Sequence, residues 1–258
     1  MSIKVYGFWR SIASFRVRVA LKLKRLAFEE TPIDILSGEQ FKPGYDAVNP
    51  EHLVPTFVHN GYQLFQSMAI MEYLDDIKPA PRLLPEDAKE RAYARSLALM
   101  TIADAHPLVV PRVRNHLAKA FGADTKAIEN WGKHWTTEGL ATYERLLGRR
   151  VPAPFALGAE PGLADICIAG QVVGAHFLKL ELGAFPIVAG LAERCFKMPE
   201  FATSHPFEQP GRPRACITER AHDSRDFAGR NQVETVAAIQ VRSLSLWERV
   251  GVRGYCIS

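Results

Sequence analysis

The feature that most constrains this chain is the run Lys-Pro-Ala-Pro-Arg-Leu-Leu-Pro at residues 78–85. Its three prolines lack backbone donors, fix φ and bias the residue before each one away from helix, so no regular element should cross it. The hydrophobic pattern differs on its two sides. Before it, short strand-like runs alternate with helical spacing. After it, strand patterns vanish and long helical patterns take over. The expectation is an α/β domain over residues 1–80, this linker, and an all-α domain over residues 86–213.

In the first part, residues 3–8 read as a strand and residues 12–25 as a helix, with Ile12, Phe15, Val19 and Leu23 at helical spacing. Lys22, Lys24 and Arg25 crowd its end, where the negative pole of the macrodipole favours cations. Residues 28–35 look like a second strand, placed at an edge by Pro32. Residues 38–49 suggest a short irregular helix. Residues 55–59 and 62–65 pair as a hairpin about Asn60-Gly61, and a helix over 67–77 carries Ile70, Met71, Leu74 and Ile77 on one face. The order β-α-β-α-β-β-α predicts a mixed sheet with helices packed on it.

Beyond the linker the spacing predicts helices over 87–119, 124–148, 163–178 and 186–198. Ile128, Trp131 and Trp135 share a face, as do Ile166, Gly170, Val173 and Phe177; such stripes read as core rather than as a cofactor box. Gly162 is an expected N-cap, with Asp165 at N3 able to reach back to the cap N–H.

A net charge of +4 over 258 residues is too small a basic excess to argue for nucleic acid. No apolar stretch approaches the ~18 residues that span a bilayer, and no basic-then-apolar leader opens the chain. Cys167, Cys195, Cys216 and Cys256 form no C-x-x-C pair, so no zinc or dithiol site is expected; they read as reduced thiols, with Cys167 in the core. The expected location is the cytoplasm. The segment 214–258 has seven arginines, no lysine and little periodicity, and is read as a poorly ordered extension with one brief helix near 243–252.

Three local features carry chemistry together. Ser11 stands where the first strand gives way to the first helix. There a hydroxyl can donate to a thiolate, and the helix dipole favours the charged thiol; the plain alternative is an N-cap. Val54-Pro55 opens a strand; a cis bond would expose the Val54 backbone as a peptide-binding edge, while an ordinary trans proline is the alternative. Gln66-Ser67 opens the third helix, whose free N–H groups and hydroxyl make a carboxylate site or simply a cap. Combined, they describe a groove for an extended acidic tripeptide.

The segment Arg10 to Leu21 resembles the Ser-Ser-Cys-x-Trp-Arg-Val-Arg-Ile-Ala-Leu motif of zeta-class glutathione transferases. Asn49-Pro50, Val54-Pro55-Thr56, the run from Gln66 to Leu74, Arg82-Leu83-Leu84-Pro85, His106-Pro107-Leu108, Leu163-Ala164-Asp165 and Gln171-Val172 match that family in order, and the resemblance extends to about residue 213. It implies a thioredoxin-like N-terminal domain plus an all-α C-terminal domain, a homodimer, and glutathione as cofactor or cosubstrate with a small electrophile. By position, Ser11 would activate the thiol. Gln40, Val54, Gln66 and Ser67 would contact glutathione, and Arg10 and Arg112 would hold substrate carboxylates. Relatives isomerise maleylacetoacetate or maleylpyruvate by reversible thiolate addition.

The chain departs from the family pattern at Ile12 and Ala13, where serine and cysteine are usual, at Phe177, where a third arginine is usual, and at Val109-Val110, where bacterial relatives often carry two asparagines. These changes point toward a more apolar pocket and a transferase acting on a hydrophobic electrophile, with diacid isomerisation as a further activity. A non-catalytic binding or dimerisation module is the reading from another class.

Overall fold

The computed structural model describes residues 2–212; the expectations for 214–258, including Cys216, Cys256 and the brief helix, lie outside the described residues. Strand β1 (Ile3–Gly7) leads into α1 (Ile12–Leu23), β2 (Glu29–Pro32), a 3₁₀ turn (Glu39–Phe41), the short α2 (Pro43–Asp46), β3 (Thr56–His59), β4 (Tyr62–Leu64) and α3 (Ser67–Ile77). The sheet order is β2-β1-β3-β4, with β1 parallel to β2 and antiparallel to β3. Pro32 pairs opposite Gly7 at the outer edge, where its missing N–H costs no ladder bond on the open side. The β3–β4 connection is the Asn60-Gly61 turn, with φ of 49° and 86°, the left-handed pair a tight hairpin demands. This is the mixed sheet expected from the element order, with the thioredoxin-like arrangement that the resemblance implies.

No further strand follows β4 among the described residues. α4 (Ala88–Leu99) runs into a π-helical turn (Met100–Ala105), α5 (His106–Val109) and α6 (Pro111–Phe121), then α7 (Thr125–Leu147), α8 (Leu163–Phe177), α9 (Pro186–Lys197), α10 (Pro199–Ala202) and a 3₁₀ turn (Pro206–Glu208). The single helix expected over 87–119 is thus broken. Val110 is extended (ψ 156°), the conformation favoured before a proline, here Pro111.

α8 is the centre of the described residues. It is apolar on nearly every side, packs on α1, α4, α7 and α9, and Asp165 starts it as expected: Gly162 N–H donates to Oδ2 at 2.9 Å and Ala156 N–H to Oδ1 at 2.8 Å. Burial raises the Asp165 carboxyl to about 6, against the lowering effect of those two N–H groups. The Trp131/Trp135 stripe is only half-buried; α7 sends Gly132, Thr136, Leu140, Tyr143 and Leu147 inward instead. Cys167 is core, and burial holds its thiol up at about 12.

α1 carries its cations differently from the expectation. Lys24 does not lie in solvent at a helix pole. It is fully buried, paired with Asp75, and it donates to the Lys78 and Pro81 carbonyls. Asp75 also accepts the Leu83 and Leu84 N–H groups, so the ends of α1 and α3 are fastened to the proline-rich connection.

Candidate functional site

Ser11 is the N-cap of α1, extended at φ −69° and ψ 121°, and its Oγ accepts the Ser14 N–H at 3.1 Å. The capping bond uses only a lone pair of this hydroxyl. The oxygen acts as acceptor toward the helix, and the hydroxyl proton remains for another acceptor at the positive pole of α1. Ser11 is half-buried, as a group that must reach a ligand requires.

Around it lies an apolar cluster. Phe8 and Trp9 are buried, and Ile35, Val54 and Phe207 pack on them. Phe207 meets Phe177 edge-on at 5.7 Å, and the Arg10 guanidinium lies 4.5 Å from the centroid of the Phe177 ring. The structure therefore gathers Arg10, Val54 and Phe177 beside the start of α1. The Val54–Pro55 bond is cis, and among the described residues the Val54 backbone N–H and C=O make no hydrogen bond. Gln40 is buried; its Nε2 donates to the Ile35 carbonyl at 3.3 Å, and its Oε1 has no hydrogen-bond partner among the described residues.

At the start of α3, Gln66 sits at φ 64°, a left-handed conformation uncommon for a non-glycine residue and concentrated at functional sites. Its side chain donates to Glu51 at 3.1 Å. Ser67 is 3% exposed, and its Oγ accepts from Arg16 Nε at 3.0 Å. Arg16 thereby joins α1 to the first residue of α3.

Arg112 is exposed in the first turn of α6. Its neighbour is His106, whose pKa is pulled down to about 3 by burial first, then by Arg16 and Arg112. His106 is thus a neutral imidazole between two guanidinium groups. The sequence showed it only as part of a motif, because its coupling to Arg16 and Arg112 depends on packing between distant segments. Arg16 was missed too; a charged residue amid the apolar spacing of α1 was the available signal.

Ile12 does not enlarge the apolar groove. It is buried, and a Cβ on Gly170 would come within 3.1 Å of its Cγ2, so Ile12 fills the contact between α1 and α8.

Residues 1–76 match the family model for the N-terminal domain of glutathione S-transferases. The maleylacetoacetate isomerase of Pseudomonas aeruginosa is 37% identical over 216 residues, which cover 83% of this chain and 100% of that protein. A solved maleylpyruvate isomerase, described as a bacterial zeta-class glutathione S-transferase, superposes with a TM-score of 0.80 at 35% identity, covering 81% of this chain and 100% of that one. The maleylacetoacetate isomerase of Methylobacterium extorquens AM1, solved with malonate and glutathione bound, gives 0.79 at 38% identity, with 81% and 99% covered.

Proposed function

Because this chain belongs to the glutathione S-transferase family, among its zeta-class maleylacetoacetate and maleylpyruvate isomerases, we propose that it is a glutathione-dependent cis–trans isomerase of a maleyl-type diacid. The observation that carries this reading is Ser11: its oxygen is engaged by the helix it caps, and its proton is left for a thiolate at the positive end of α1.

The residues fit glutathione. An acidic, extended tripeptide needs backbone partners and carboxylate sites. Val54 offers an unpaired N–H and C=O, Gln40 an orphaned buried Oε1, and α3 its first N–H groups with the Ser67 hydroxyl. When bound, glutathione supplies a thiol for reversible addition to the substrate's conjugated double bond. Ser11 would hold that sulfur ionised by donating a hydrogen bond to it, the proton staying on the serine oxygen. Gln40, Val54, Gln66 and Ser67 would fix the peptide so that the sulfur faces the aromatic cluster. Arg10 would meet a substrate carboxylate there, and Arg112 a second one from α6. Trp9, Phe177 and Phe207 would shield the sulfur from water.

A second reading has one observation in its favour. Phe177 lies under Arg10 where a third arginine is usual, which supports turnover of less charged electrophiles by the same thiolate. Homodimerisation and a cytoplasmic location belong to this proposal as well. Among the described residues no helix is long and apolar enough to cross a membrane.

The test is retention on immobilised glutathione together with a substrate panel containing maleylacetoacetate, maleylpyruvate and uncharged electrophiles. Retention that Ser67→Ala abolishes, with preference for the diacids, supports the proposal. A protein that ignores the column and every substrate would be a non-catalytic module.

A further inference from the structure

We infer that Arg16 is a built-in counter-charge whose partner arrives with the ligand: it stands ready for the α-carboxylate of glutathione's γ-glutamyl group, acting together with Ser67. The inference rests on the glutathione reading above and adds a residue and a charge-pairing role to it.

Three cations from α1 and its C-cap are buried, and two have carboxylate partners. Arg18 makes a bidentate pair with Glu30, and Lys24 pairs with Asp75. Arg16, 2% exposed, has no carboxylate partner among the described residues. Its Nε donates to Ser67 Oγ, while its NH1 is buried with no hydrogen-bond partner. A buried guanidinium with an orphaned nitrogen is costly unless a counter-charge meets it.

The ionisable groups around it do not supply one. Burial holds the Cys167 thiol up at about 12 and raises the Tyr143 phenol, so both stay protonated and neutral, and His106, held at about 3, is neutral as well. Arg16 is therefore a cation ringed by uncharged groups.

Its direction is set by what it holds. Ser67 is the first residue of α3, an 11-residue helix whose opening N–H groups have no intrahelical partners. Because Ser67 Oγ receives the Arg16 N–H on a lone pair, the Ser67 proton is turned toward another acceptor. A carboxylate at that point meets the helix N–H groups, a donated hydroxyl and the field of a desolvated guanidinium. A neutral group of the same shape would meet the first two and leave the guanidinium unpaired.

The experiment is a binding cycle by titration calorimetry on the full chain. Three peptides are compared: glutathione, its analogue with 4-aminobutyryl in place of γ-glutamyl (no α-carboxylate, amine kept), and its analogue with glutaryl (no amine, carboxylate kept). Wild type should bind the 4-aminobutyryl peptide about 10- to 100-fold more weakly than glutathione. Arg16→Gln, which can still donate to Ser67, should reduce that discrimination to about threefold or less, and Arg16→Lys should restore most of it. The glutaryl arm should respond to Arg16→Gln as glutathione does. Undiminished discrimination in Arg16→Gln overturns the inference while leaving the glutathione reading intact. A wild type that binds none of the peptides ends both. Arg16→Met supplies an independent readout: it removes an uncompensated charge, so the unliganded variant should unfold at about the same urea concentration as wild type. Failure of both Arg16→Met and Arg16→Gln to fold would make the arginine structural and overturn the inference.

Discussion

Ser11 Oγ accepts the Ser14 N–H at 3.1 Å, so the hydroxyl that caps α1 is also oriented by it. Replacing Ser11 with alanine removes both roles. The expected loss of stability is that of an N-cap, about 1 kcal/mol. The loss of turnover should be larger, on the order of 100-fold, as for a single donor to a developing anion. The ultraviolet absorption of bound thiolate should titrate at higher pH in Ser11→Ala, and Ser11→Thr should behave like wild type. An unchanged thiol titration would remove Ser11 from the chemistry.

On the proposed function, Phe177 would set how a second carboxylate is received. In wild type its ring carries the Arg10 guanidinium, a contact worth about 0.5–1 kcal/mol at a partly exposed site. Phe177→Arg replaces that contact with a second cation able to grip an anion. For a diacid substrate KM should fall about tenfold with little change in kcat, while uncharged electrophiles should be turned over less well. Steady-state kinetics on one substrate of each kind decides it; a KM unchanged for both would place Phe177 outside the substrate site.

Lys24 and Asp75 fasten the connection between the sheet-bearing part and the helices. Lys24→Met leaves Asp75 buried without its cation, although with two backbone N–H groups still bound. A destabilisation of about 3–5 kcal/mol is expected in urea unfolding. Lys24→Met combined with Asp75→Asn should recover part of it, since the stranded charge is then gone.

Two buried groups give stability opposite dependences on pH. Asp165 is raised to about 6 in the folded protein. The folded state then holds a proton that the unfolded chain has lost, so this contribution falls as pH rises from about 4 to 6. His106 is lowered to about 3, so the unfolded chain binds the extra proton and this contribution falls as pH drops from about 6.5 to 3. Between pH 7 and 5, Asp165 should therefore add about 1 kcal/mol, and His106 should subtract an amount on the order of 1 kcal/mol. Urea unfolding of Asp165→Asn and His106→Gln at the two pH values, each set against wild type, should show differences of opposite sign; differences of the same sign would refute the assignment.

The local signals were strong where one residue type dictates the backbone. Asn60-Gly61 announced its turn, Pro32 its edge, Gly162 with Asp165 its cap, and Ser67 its helix start. The candidate residues near those points were legible because strand-to-helix junctions expose backbone and hydroxyl groups by construction. What the sequence concealed depends on packing across distant segments. Lys24 read as a cation at a helix end and Arg16 only as one position of a motif; α3, α8 and the proline-rich connection close over them. Ile12 looked like a lining residue and turned out to be packing against Gly170. The break at Val110 was written in Pro111, but the long apolar periodicity on both sides outweighed it.

The most direct measurement is a mass balance of glutathione during conversion of maleylacetoacetate by the purified wild-type chain. Isomerised product should appear only when glutathione is present, with a rate that saturates in it, and all of the glutathione should be recovered unchanged. Turnover without glutathione, or its stoichiometric consumption into a conjugate with no trans product, would contradict the proposed isomerase.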